Sequence, residues 1–334
     1  KCEGDPEDPW TDGRLCMRCL DVPEVTNHKE RLQYPMKRDP KDRGKDIWER
    51  ITWDEAYELI PEKFMDMKEK YGAESVIFAQ GTGRDIAAYI TRLCWSFGSP
   101  NYTGLLSGQA CYLPRIASMA ATTGHPWIPA AAQQFPERYD HPDYEVPEVM
   151  FIWGNYPLKS NIEGFYGHWV IDLMKRGMKL VSVDPKVTWL ASTSELHLRV
   201  RPGTDAALAL GMMTVLIDAD LYDHELVDEW CYGFEERKER AAEFDVKRVS
   251  EITWVPEDLI IKAARMLGNA KNSTLQWGVA VDMTREAMPA GQAILALWEI
   301  TGNMERPGGL ILAPELLSVA GGWGREVLGP DQAA

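Results

Sequence analysis

No stretch of this sequence is apolar for long enough to span a bilayer, which predicts no direct membrane insertion. Basic residues are in deficit: 36 Lys and Arg stand against 51 Asp and Glu, a net charge of −15. That balance argues against non-specific binding to nucleic acid or anionic lipid, both of which need a basic face, but it leaves room for a local basic pocket for phosphates. The six cysteines are too few and too scattered for a disulfide scaffold. Internal repeats and a signal-peptide pattern are also missing, and no G-x-G-x-x-G follows a strand, which argues against a plain NAD site. The chain opens on Lys1 rather than Met, in a loop-like stretch. Its natural start is therefore expected upstream, and the missing signal is uninformative.

What is there reads as an ordinary folded chain. Apolar residues make up 45% and charged residues 26%, and 334 residues can hold two domains with sizeable cores. The first fifty residues are rich in Pro, Asp, Lys and Arg and lack periodicity, as irregular covering structure does. "ITWDEAYELIPEKFMDMKEKYG" then predicts a helix with a Thr52/Glu55 capping box, a stripe of Ala56, Leu59, Ile60, Phe64, Met67 and Tyr71, and a stop at Gly72. Pro61 predicts a kink in it. "SVIFAQG" reads as a strand, followed by "GTGRD" and a helix from about Asp85 to Phe97.

The clearest unit runs from Val149 to Asp184. "VMFIWG" is a continuous apolar strand, as a parallel sheet covered on both faces requires. A helix follows, with Ser160 and Glu163 as its capping box and Ile162, Phe165, Tyr166, Trp169, Val170, Leu173 and Met174 as its stripe. "KLVSVD" is the next strand, which completes a βαβ unit. A helix opening at Thr204, a strand in "STLQWGVAV" and a helix in "PAGQAILALWEITGN" continue the alternation, so the class is α/β with parallel sheets.

Several motifs could carry chemistry. Asp184, at the end of a strand, could accept hydrogen bonds from a ribose or a base edge. In "RPGTD", Asp205 stands at a helix start, where a carboxylate can pair with the two adjacent N–H donors of guanine; simple capping by Thr204 is the plain alternative. Cys111 sits on a turn in "SGQACYLPR", and a nucleophile, a soft-metal ligand and an inert thiol are all open there. Cys94 and Cys231 read as small buried hydrophobes. The Cys16–Cys19 pair in "TDGRLCMRC" could belong to a zinc site with Cys2 and His28, or to one corner of an iron–sulfur centre. A thioredoxin-like motif would need a core strand before it, and none is there.

The surroundings of these motifs carry a resemblance. "CEGDPEDPWTDGRLCMRCLDVPEVTNHKERLQYPMKR", "WERITWDEAYELI", "GTGRD", the Cys111 turn, "WGNYP", "VDPK", "RPGTDAALAL", "GFEE" and "TGNMERPGG" follow one another as in the molybdopterin oxidoreductases of the dimethyl sulfoxide reductase family. The resemblance covers nearly the whole chain. It implies a molybdenum or tungsten bis(molybdopterin guanine dinucleotide) cofactor and a 4Fe–4S cluster. Cys111 matches the metal-coordinating position, with Tyr112 and Arg115 beside it as expected catalytic neighbours. Tyr112 stands where formate dehydrogenases carry His, and "ACYLPR" is more similar to the branch holding acetylene hydratase, pyrogallol hydroxytransferase and catechol dehydroxylases. Gly81, Thr82, Gly83, Asn155, Asp184, Lys186, Gly203, Thr204, Asp205 and Gly278 match loops that line the pterin cofactor. Cys16 matches the last cluster ligand, in a "G-x-L-C-x-K-G" stretch, and Arg18 the basic residue between cluster and pterin. Cys19 falls where the family has glycine, Cys2 falls at an apolar position, and the remaining cluster ligands are expected outside this chain.

The same resemblance implies two doubly wound, Rossmann-like domains plus a small irregular N-terminal iron–sulfur region. The expected division is a remnant of the iron–sulfur region at 1–47, a discontinuous α/β domain at 48–108 and 275–334, and a domain binding the pterin guanine dinucleotide at 109–274. Family catalytic subunits are about twice this length, so the chain is expected to be a fragment. The implied activity is oxygen-atom or electron-and-proton transfer on a small-molecule substrate, with the cluster passing electrons to an iron–sulfur partner subunit. A non-redox hydratase or hydroxytransferase is the second reading, and a metal-free structural relative in an electron-transfer complex the third. The compartment stays open between prokaryotic cytoplasm and export by a twin-arginine signal.

Overall fold

The computed structural model describes residues 1–9, 11–81, 86–104, 111–124, 138–142, 144–160 and 165–312. Two compact units hold them: one is built from Lys1–Asp21 with the described part of 108–316, the other from 22–107. Thr82, Gly83, Ile162 and Glu163, named above, lie outside the described residues. No helix among the described residues is long and apolar enough to cross a membrane.

The larger unit is an α/β structure around four parallel strands: β5 (Val149–Trp153), β6 (Lys179–Val183), β7 (Leu196–Leu198) and β8 (Ser273–Trp277), in the order β7-β6-β5-β8. Every residue of β5 is buried, because alternate side chains enter two different cores. Val149, Phe151 and Trp153 point to the face covered by the helices Asp205–Asp218, Glu257–Asn269 and Ala287–Ile300. Met150 and Ile152 point to the other, where Trp169, Val170 and Leu173 of the helix Phe165–Lys175 cover them. Phe151 meets Trp298 edge-on at 5.2 Å, a contact worth about 1 kcal/mol beyond its area. The helices Asp205–Asp218 and Ala287–Ile300 are buried almost all round, and so carry no apolar stripe of their own.

The expected grouping of 275–334 with 48–108 differs from this arrangement. Its boundary at 274/275 falls inside β8, whose pairing with β5 holds that segment to the larger unit, and the helix Ala287–Ile300 packs in the same core. The expected N-terminal region is likewise divided, since 1–21 groups with the larger unit and 22–47 with the smaller.

The smaller unit has β1 (Met36–Lys37) paired antiparallel with β2 (Glu49–Arg50), and β3 (Phe78–Gln80) paired parallel with β4 (Tyr102–Gly104). Its helix Trp53–Tyr71 forms with the expected capping box, both reciprocal bonds being present, and runs through Pro61 without interruption. The stripe read as buried is mostly exposed: only Ala56 is buried, and Leu59, Ile60, Met67 and Tyr71 face solvent. Two short strands offer little to pack on, and Phe64, with Phe78 and Phe97 at 5.8 Å each, makes the aromatic contact.

Candidate functional site

All four strands of the larger sheet run the same way, so their carboxyl ends lie along one edge. Trp153 is in register with Val183 and Trp277, and Val183 with Leu198. The loops that leave this edge carry Gly154 and Asn155 after β5, Asp184 and Lys186 after β6, Gly203 to Asp205 after β7, and Gly278 after β8. Backbone bonds tie them together: Gly154 N donates to Val183 O at 2.9 Å, Gly278 N to Trp153 O at 2.9 Å, and Asp184 N to Leu198 O at 3.2 Å. β6 and β8 flank β5 on opposite sides, so the chain reverses its direction of travel there, at the kind of crevice where α/β sheets bind ligands. Glycine is required at this point. A Cβ on Gly278 would stand 2.3 Å from Gly154 O and 2.7 Å from Asn155 Cβ, and Gly154 itself has φ +58.

Asp205 is almost fully buried, with Oδ1 accepting from the Trp153 indole N–H at 2.7 Å. Burial pushes its carboxyl up, and the indole bond offsets part of that rise. Capping by Thr204 is overturned, because its hydroxyl donates instead to Arg201 O at 2.7 Å and gives the helix no cap bond. The helix start thus opens toward a cavity of about 400 Å³ lined by Gly203, Thr204, Arg237, Arg240, Phe244 and Gln292. Gly203, at φ +83, has open space where a side chain would be. Asp184 Oδ1 accepts from Lys186 N at 2.7 Å, which folds the β6 loop back on itself, and Asn155 Oδ1 accepts from Ser160 Oγ at 3.3 Å.

Cys111 is half-buried, just before the helix Leu113–Thr123, with Tyr112 as that helix's first flanking residue. Arg115 ties this turn to the same edge: Nη1 donates to Trp277 O at 2.9 Å and Nε to Asp282 Oδ2 at 2.8 Å. Asp282, whose side chain is fully buried, was not singled out from the sequence, and no local pattern marks it.

At the chain's start, Cys16 is buried with its Sγ 3.5 Å from Cys19 Sγ. Burial pushes the Cys16 thiol up, but hydrogen bonds from Cys19 and Arg18 outweigh that and leave it below its ordinary value. Burial and the Cys16 bond push the Cys19 thiol up. Arg18 Nη2 donates to Ser160 O, and Arg14 pairs with Asp172 at 2.5 Å, which brings this segment to the helices after β5. Among the described residues no group of three His, Cys, Asp or Glu side chains is placed to hold a metal. Cys94 is fully buried, as expected, while Cys231 is only partly so. Gly81 belongs to the smaller unit.

Residues 31–317 match the Molybdopterin oxidoreductase family as a whole. The chain belongs to that family. Family members similar to it include acetylene hydratase from Syntrophotalea acetylenica, 33% identical over 94% of this chain and 41% of that protein. The molybdopterin-containing subunit PhsA of thiosulfate reductase from Salmonella typhimurium is 28% identical over 92% of this chain and 38% of that protein. The solved structure of acetylene hydratase from Pelobacter acetylenicus superposes with a TM-score of 0.71 at 32% identity, covering 91% of this chain and 40% of that one. The chain thus spans about two fifths of the length of the family members it matches.

Proposed function

We propose that this chain forms the cofactor-binding part of the catalytic subunit of a molybdenum or tungsten bis(molybdopterin guanine dinucleotide) oxidoreductase. The observation that carries the reading is convergence: the Cys111 turn and the Asn155, Asp184–Lys186, Gly203–Asp205 and Gly278 loops meet at one edge of one parallel sheet. In this reading the β7-β6-β5-β8 sheet is a Rossmann-like domain and the β3–β4 pair belongs to a second. The residues fit the group. An uncapped helix start and a glycine facing open space suit phosphate, and Asp205 is held by Trp153 where a carboxylate can meet a guanine edge. Asp184 would meet ribose or base hydroxyl and amide donors, and Lys186 a phosphate. A thiolate at Cys111 would be soft and anionic once metal-bound, suited to molybdenum or tungsten, with Tyr112 next to it in the chain. When bound, the cofactor supplies oxygen-atom or electron-and-proton transfer at its metal.

Cys16 is proposed as this chain's ligand to a 4Fe–4S cluster, with Arg18 between cluster and pterin and an iron–sulfur protein as electron partner. The cluster's other ligands would lie outside the described residues, among which no three candidate side chains are placed to hold a metal. The similarity to acetylene hydratase favours, as a second reading, hydration or hydroxyl transfer without net redox change.

The complete protein, purified anaerobically, is to be assayed for molybdenum, tungsten, released pterin and guanine nucleotide. The expected result is one metal with two pterins and two guanines, and loss of the metal in Cys111→Ala. Absence of both metal and pterin would refute the proposal. Turnover with no electron donor or acceptor would select the second reading.

A further inference from the structure

Cys111 can serve a metal only if its turn is held still. Tyr112, the flanking residue of the helix Leu113–Thr123, gives that helix no side-chain cap bond, and Pro114 has no N–H. The missing cap comes from 167 residues away. Asp282 Oδ1 accepts from Arg115 N, in the third position of the helix, at 3.0 Å, the bond that a local capping side chain would make. Its second oxygen takes Arg115 Nε at 2.8 Å, and the same guanidinium reaches Trp277 O at 2.9 Å. One carboxylate therefore fixes both the backbone of the turn and the side chain that docks it.

Asp282 itself closes the short helix Val279–Asp282 that begins at Gly278, the glycine wedged against Gly154. The Cys111 turn and the β8 loop thereby become a single body. One turn further on, Ser118 Oγ donates within reach of both Pro114 O at 2.6 Å and Met288 O at 3.1 Å, and a Cβ on Gly291 would stand 2.4 Å from it. That close packing holds the helix from its side but leaves its first turn to Asp282.

We infer that Asp282 is the positioning residue for Cys111: it caps the cysteine's helix in trans and, through Arg115, locks the thiolate-bearing turn to the carboxyl edge of the sheet. Arg115 then acts by holding the turn and not by touching substrate. The inference rests on the proposed role of Cys111 as metal ligand, but its geometry is independent of any metal.

Its test uses Asp282→Asn, which keeps one acceptor but turns an N–H₂ toward a donor of Arg115. It also uses the double change Asp282→Leu with Arg115→Met, which removes the buried ion pair without stranding either charge. The first readout is the alkylation rate of Cys111 by iodoacetamide in the cofactor-free complete protein, with Cys231 as internal reference. The double variant is expected to shift that ratio by about fivefold, the population factor of one lost N-cap, and Asp282→Asn, which keeps an acceptor for Arg115 N, by less. The second readout is the paramagnetic resonance spectrum of the metal in loaded protein, whose g-values are expected to move while pterin content stays at the wild-type level. Unchanged alkylation in a folded double variant would overturn the role of Asp282. If wild-type protein takes up no metal or pterin, the cofactor reading fails while the alkylation result still decides the capping.

Discussion

Glu299 offers a prediction that can be worked through in numbers. It lies in the last turn of the helix Ala287–Ile300, on the wall of a cavity of about 740 Å³ shared with Trp230, Cys231, Phe234 and Arg237. Its Oε1 is buried and has no hydrogen-bond partner among the described residues. Burial raises its carboxyl from an ordinary 4.5 to about 7, with Arg237 offsetting only part of the rise. The folded protein therefore binds this proton more tightly than the unfolded chain does. The stability it contributes is complete below pH 4.5 and is lost as pH rises through about 7. A displacement of that size is worth about 3 kcal/mol, most of it between pH 5 and 8. Glu299→Gln removes the titration and keeps the shape. Urea unfolding of both proteins at pH 5 and pH 8 isolates the residue, because every other group cancels in the double difference. The wild type is expected to lose about 2–3 kcal/mol more than the variant on going to pH 8. A double difference below about 0.5 kcal/mol would show that the carboxyl is hydrated or paired, and would refute the reasoning.

Three further predictions concern the sheet edge and the cysteine pair. Asp205→Ala leaves the buried Trp153 indole without an acceptor and should cost about 1–3 kcal/mol in urea unfolding. Asp205→Asn keeps an acceptor, so it should retain stability yet lower the guanine nucleotide recovered per protein. Gly278→Ala puts a methyl 2.3 Å from Gly154 O and should lower both the melting temperature and the pterin content, and unchanged values of both would show that the β5 and β8 loops can part at little cost. Cys16→Ala in the complete protein should reduce iron content where Cys19→Gly does not, and the reverse outcome would exchange their roles.

The parts of the fold that the sequence reveals are those with strong local signals. β5 and β6 are mainly apolar runs with turn residues after them, β8 is a short run of strand-forming residues ended by Gly278, and the Thr52/Glu55 box begins its helix where expected. β7 is only three residues long, and an alternation as short as Leu196-His197-Leu198 does not mark a strand by itself. The stripe of the helix Trp53–Tyr71 was legible as a pattern, but burial depends on a partner surface that periodicity does not specify. Of the site, the glycine-bearing loops and Asp205 stand out because turn chemistry and a charged residue at a helix start are local features. The capping of Arg115 by Asp282 is not local, and neither residue alone differs from an ordinary surface charge in the sequence. Gly154, which makes room for Gly278, was likewise visible only once β5 and β8 were seen to be neighbours.

The strand order has a consequence for synthesis. Val149 begins β5, and its partner on one side, Ser273 in β8, comes 124 residues later in the chain. At bacterial and eukaryotic elongation rates that interval lasts roughly 6 to 25 s. During it, one edge of a wholly apolar strand is an open template for any other extended chain. The nascent chain must cross this interval with β5 paired only to β6, which makes the ribosome-bound stage, more than the finished protein, the point at which a chaperone would matter most to yield.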